Sequence, residues 1–165
     1  MKINKITLRN LRNDTHFQFH TEFKDLAQKH NPAAMKIASQ YDAYLPLYDK
    51  VDLALKKINK SAITEKIQNA DKARDDSNLI RERFDESSLK VDIVLKKARL
   101  HLDEAYYAIV ERVNALVVVE GVADYEAFIR KLNISIAKYN LLATQASKKP
   151  GKRGGGKKSQ TEGQQ

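Results

Sequence analysis

The feature that most limits how this chain can fold is a run of apolar residues spaced alternately by four and three. Ile37, Tyr41, Tyr44, Tyr48, Val51, Leu55 and Ile58 keep that spacing without a miss. Only a helix brings such positions onto one line, because 3.6 residues per turn stacks i, i+3, i+4 and i+7 on one face. A line this regular is the seam of a bundle or coiled coil. Pro46 lies inside the run. Its ring removes a backbone hydrogen bond and crowds the preceding turn, which predicts a kink near Asp42 to Pro46. The seam keeps its phase on both sides, so a kink is expected rather than a break.

Similar seams recur. Phe19, Phe23 and Leu26 follow the cap cluster Asn13-Asp14-Thr15. Val91, Leu95, Ala98, Leu102, Ala105, Ile109, Val113 and Leu116 form a second long line. Tyr125, Phe128, Ile129, Leu132, Ile136, Tyr139 and Ala143 form a third. Val117-Val118-Val119 reads as the end of a helix rather than a strand, with Gly121 as the stop. Asn31-Pro32 reads as the cap and first turn of the second helix. The expected helices span Asp14 to His30, Pro32 to Asn59, Ala62 to about Phe84, Ser88 to Val119 and Val122 to Ala146. From Asp71 to Asn78 the chain is polar all round and reads as a solvated helix or a loop. The fold class is all-α, an antiparallel bundle of long helices.

A chain of 165 residues suffices for one domain with a sizeable core. The expected organisation is an N-terminal extension over 1–13, a helical domain over 14–146 and a disordered Lys/Gly-rich tail over 147–165. Two halves look alike, Phe23-Lys24-Asp25 resembling Phe84-Asp85-Glu86 and Ala43-Tyr44 recurring as Ala105-Tyr106. Matched pairs of this kind suggest a duplicated helical unit. No apolar run follows Lys2, Lys5 and Arg9 as a signal peptide requires, and no segment reaches the apolar length of a membrane span. The expected location is the cytoplasm.

Most chemistries find no residues to carry them. The chain has no cysteine, which removes disulfides, thiolate-bound zinc and thiol catalysis. His16 and His20, four apart, share a helix face at the spacing of two metal ligands. No neighbouring Glu or His supplies a third, and neither His-Glu-x-x-His nor a pair of Glu-x-x-His motifs occurs. Both rings are expected to pack beside Phe19 and Phe23, with no metal. Asp75-Asp76 and Asp103-Glu104 are adjacent acids that point to different faces of a helix, which reads as solvated surface rather than a catalytic pair. Tyr41, Tyr44 and Tyr48 read as core with hydroxyls at its rim. No enzyme activity and no cofactor are expected.

The net charge of +9 is concentrated at the C-terminal end. From residue 148 onward, Lys148, Lys149, Lys152, Arg153, Lys157 and Lys158 face a single acid, Glu162. Such a segment attracts phosphate backbones through counterion release without reading sequence. It contains no aromatic residue to stack on bases. Gly151 to Ser159 nearly spells a phosphate-binding loop, but Lys158 stands where Ser or Thr is required. No strand precedes it and no helix follows.

Four stretches carry a family resemblance. They are Phe17-Gln18-Phe19-His20-Thr21-Glu22-Phe23, Lys60 to Glu65, Ile109 to Leu116 and Tyr125 to Asn133. They resemble a domain-of-unknown-function family of gut anaerobic, Bacteroides-type bacteria. The resemblance implies a helical fold with a Gly/Lys/Arg-rich tail. It also implies that a segment between Ala70–Asp76 and Arg81–Glu86 is missing here. It brings no activity and no functional residues. The expected function is a non-enzymatic structural or protein-interaction module, with self-association through the seams. The alternative is sequence-independent nucleic-acid binding through the tail.

Overall fold

The computed structural model describes the backbone of residues 1–72 and 78–147, and the side chains of residues 1–60 and 93–145. The tail from Lys148, the tip of the polar run and the seam residues Ile63, Ile67, Phe84 and Val91 fall outside what is described for side chains. Four helices account for most of the rest: α1 (Asn13–Lys29), α2 (Ala38–Lys72), α3 (Asn78–Glu120) and α4 (Glu126–Ser147). They pack antiparallel, α2 along α3 and α1 against both α4 and α2.

The seams are the core. Ile37, Tyr41, Tyr44, Tyr48, Val51 and Leu55 are buried, as are Leu95, Leu102, Ile109, Val113 and Leu116. Tyr125 and the six seam residues of α4 that follow it are buried too. Pro46 lies inside α2, which continues past it. An internal proline costs roughly 3 kcal/mol, whereas each large apolar side chain buried on this seam returns about 1.5–3 kcal/mol. Six such residues outweigh one proline, so the helix persists.

Four of the expected boundaries move. The second helix begins at Ala38, not Pro32. Asn31 does act as a cap, its Oδ1 accepting from the Ala33 and Ala34 amides at 3.1 and 3.5 Å. The turn it starts ends at Lys36, whose φ of 55° leaves the helical region. The expected third helix, Ala62 to Phe84, is not a separate element. Ser61 does not begin a helix, because α2 runs on through it to Lys72, and Ser87-Ser88 lie inside α3. Serine competes only weakly with the backbone once flanking turns are formed, so it marks a cap without compelling one. Val117 to Val119 are helical, and α3 ends before Gly121 at φ 91°. The last helix starts at Glu126 after a turn closed by Tyr125 N to Val122 O at 3.0 Å.

The stretch ahead of α1 belongs to the core. Ile3, Ile6, Leu8 and Leu11 are buried. Its backbone polar groups find partners on α3 and α4. The Ile3 amide donates to Asn114 Oδ1 at 2.8 Å, and the Asn4 amide donates to Asn133 Oδ1 at 2.7 Å. Asn133 and Asn140 donate back to the carbonyls of Lys2 and Lys5, and Tyr107 donates to Ile6 O at 2.9 Å. Buried backbone needs such partners, and here side chains supply what a sheet would otherwise supply. On the opposite side, Glu22 of α1 accepts from Ser135, Lys138 and Tyr139 of α4 at 2.7–2.9 Å.

α2 and α3 are 35 and 43 residues long, against 17 for α1 and 22 for α4. At 1.5 Å per residue they reach about 50 and 65 Å, against about 25 and 33 Å for α1 and α4, so both long helices run on past the shorter pair as an arm.

Candidate functional site

Two places in the fold carry functional chemistry, one buried and one on the surface. The buried one starts from the His16/His20 pair. One turn of α1 separates them, so both rings leave the same face, with centroids 4.5 Å apart. That face is pressed into the body by Phe19 and Phe23, and both histidines are fully buried. Opposite stands Asp103 of α3. Its Oδ1 lies 2.7 Å from His16 Nε2 and 3.1 Å from His20 Nε2. One carboxylate oxygen therefore meets two imidazoles.

The group that sequence spacing did not supply is thus Asp103, and its reading as solvated surface is corrected. On α3 it follows the seam residue Leu102, and Tyr106 is one turn further on the same side. Glu104 stays exposed. Adjacency did place the two acids on different faces, but one of those faces is interior. The expectation that the histidine rings pack beside the phenylalanines is met for His20, which lies edge-on to Phe19 at 5.4 Å, while His16 packs on His20.

Burial pulls both imidazoles below their ordinary pKa, that of His20 to about 4, with the Asp103 hydrogen bond opposing in each case. Burial pushes the Asp103 carboxyl up, but hydrogen bonds from the two histidines more than offset it and the net direction is down. At neutral pH the cluster is a carboxylate between two neutral imidazoles. A carboxylate only accepts, so each Nε2 carries a proton. His20 Nδ1 then offers a lone pair to the Tyr44 hydroxyl, 3.1 Å away. That hydroxyl also lies 3.1 Å from the His20 carbonyl oxygen. Tyr44 is therefore inside the core rather than at its rim, and burial raises its pKa well above the usual phenol range. Tyr41 and Tyr48 fit the rim reading better, bonding to Lys24 O and Thr21 Oγ1. His16 Nδ1 is buried with no partner. Arg99, one turn before Asp103, turns its guanidinium to the carbonyls of Leu8 and Leu11.

The surface candidate lies between α2 and α3. α1 covers one side of that pair and leaves the other open. There Leu53 and Val94, each 58 % exposed, flank a groove of about 470 Å³. Lys50, Lys57 and His101 line its edge, and no acid among the described residues does. A charged residue is the usual occupant of such positions on a free helical face. The six tail cations lie outside the described residues.

The bundle and its buried cluster define an all-helical protein in which no helix, among the described residues, is long and apolar enough to cross a membrane. Residues 77–133 match a family of unknown function, DUF6261. The match takes in all of α3, including Asp103, and the first turns of α4. No curated protein and no solved structure matches the chain significantly.

Proposed function

We propose that the protein is a non-enzymatic, cytoplasmic interaction module that receives an amphipathic helix with acidic flanks on the open face of α2 and α3. The observation that carries this reading is the groove between Leu53 and Val94, apolar at its floor and edged, among the described residues, by Lys50, Lys57 and His101. Helix-in-groove recognition needs an apolar channel of this kind between two parallel ridges. The cationic edge selects acidic flanks and disfavours a symmetric pairing of two copies on this face, since like charges would meet. His16, Asp103 and His20 then fasten α1 behind the receiving surface.

The test is a titration of the full chain with an acidic amphipathic helical peptide and with a basic one of equal hydrophobicity. The acidic peptide is expected to bind, more weakly as salt rises, and Leu53→Glu with Val94→Glu to abolish binding without unfolding the chain. A chain that binds neither peptide, or the basic one as tightly as the acidic one, contradicts the reading.

The charge of the tail supports a second reading. Six cations against one acid would bind nucleic acid without sequence preference. A gel shift that weakens steeply with salt and vanishes on truncation after Ser147 is the expected result. A shift unchanged by truncation contradicts it. The resemblance to gut bacterial proteins supports one more inference, that this chain is a shortened form. The missing segment would fall at the junction of α2 and α3. Loss of matched lengths from the two helices there shortens the arm and leaves the body intact.

A further inference from the structure

We propose that His16, His20 and Asp103 bind a divalent transition-metal ion of the zinc class, with Tyr44 as the positioning residue behind His20. Two imidazole nitrogens and one carboxylate oxygen are a donor set such ions favour. The three donor groups lie within 4.8 Å of one another and are buried. Tetrahedral coordination with bonds near 2.0–2.2 Å separates donors by about 3.4 Å. The observed separations from Asp103 Oδ1, 2.7 and 3.1 Å, need only a small opening. Asp103 keeps its side chain 12 % exposed, which gives an ion a way in.

The hydrogen bonding around His20 is compatible with the bound form. Without an ion, the Tyr44 hydroxyl donates to His20 Nδ1, while the His20 carbonyl oxygen, also 3.1 Å from that hydroxyl, keeps its helical partner within α1. When Nε2 holds an ion, its proton moves to Nδ1. Nδ1–H then donates to the Tyr44 oxygen, and the Tyr44 hydroxyl donates to the His20 carbonyl. Every group in that chain is satisfied. A metal-bound histidine is held in this way by a partner on its far nitrogen. His16 Nδ1 has no partner among the described residues, and with Nε2 on an ion it would carry a proton without an acceptor, a cost that coordination must offset. Arg99 is the nearby opposing charge, and its guanidinium is engaged by the Leu8 and Leu11 carbonyls rather than by Asp103.

The experiment uses the untagged full chain, stripped with EDTA and titrated with zinc chloride. Metal content is measured after gel filtration. One zinc per chain is expected, and lower content in His20→Gln and Asp103→Asn, with unchanged content in His101→Gln. Tyr44→Phe is expected to keep the fold and bind zinc about tenfold more weakly. Should the ligand variants fail to fold, the imidazole signals of the unmodified chain decide. Zinc is expected to move those of His16 and His20 and spare those of His30 and His101. A parent chain that retains no zinc, zinc retained by a His16→Gln/His20→Gln double variant, or shifts confined to His30 and His101 would overturn the proposal.

Discussion

His16 and His20 direct their Nε2 atoms at the same oxygen of Asp103, at 2.7 and 3.1 Å, across 87 and 83 residues of chain. This is the only contact of α1 with an acid of α3 among the described ion pairs. Replacing Asp103 by Ala leaves two buried N–H donors without an acceptor. Stranded donors cost about 1–3 kcal/mol each, so urea denaturation of Asp103→Ala should show a loss of about 3 kcal/mol. A loss below about 0.5 kcal/mol, the range of ordinary surface changes, would mean the cluster does not fasten the helices.

The same cluster sets a pH dependence for the metal-free protein. The folded-state pKa values of both histidines lie below the unfolded value of about 6.5, and His20 falls to about 4. Above pH 6.5 neither state takes up the proton, and full stability is present. As pH falls from 6.5 toward 4 the unfolded chain is protonated first, so stability is lost. For His20 alone the loss reaches about 3 kcal/mol. Urea midpoints should therefore fall from pH 7 to pH 4.5, and His20→Gln should flatten the slope. A parent chain as stable at pH 4.5 as at pH 7 would contradict the assignment of neutral imidazoles.

Gly121 ends α3 at φ 91° and a Cβ there would touch nothing within 4 Å. The penalty for Gly121→Ala is then purely that of placing an L side chain at positive φ, about 1 kcal/mol. Thermal denaturation should show a small, cooperative drop in Tm. No drop would indicate that the end of α3 relaxes to another conformation.

Asn133 both donates to Lys2 O and accepts from the Asn4 amide. Asn133→Ala should release the first residues of the chain while costing only about 1 kcal/mol overall. Limited trypsin digestion is expected to cut faster after Lys2 and Lys5 than in the parent. Unchanged cleavage would show that Ile3, Ile6 and the remaining bonds to Asn114, Tyr107 and Asn140 hold the segment without Asn133.

Much of this architecture is legible in the order of residues, because seams are local. The spacing of Ile37 to Leu55 and of Tyr125 to Ala143 specifies a buried line whatever covers it. The His16/His20 pair is legible for the same reason, being four apart on one helix. Asp103 is not, since its partners lie more than 80 residues away. Its one local signal is its place between Leu102 and Tyr106 on the inward side of α3. The turn before α2 escapes notice because Asn31 and Pro32 do begin a turn, and only the left-handed Lys36 stops it. The N-terminal segment escapes because Ile3, Ile6, Leu8 and Leu11 follow no helical or strand period; Asn114, Asn133 and Asn140, far along the chain, satisfy its backbone.

The most direct test of the central claim, that two neutral imidazoles share one carboxylate, is nitrogen NMR of the histidine rings in EDTA-treated protein at pH 7. His16 and His20 are both expected to carry their proton on Nε2, with Nδ1 unprotonated. Either ring found as an imidazolium, or protonated on Nδ1 alone, would contradict it.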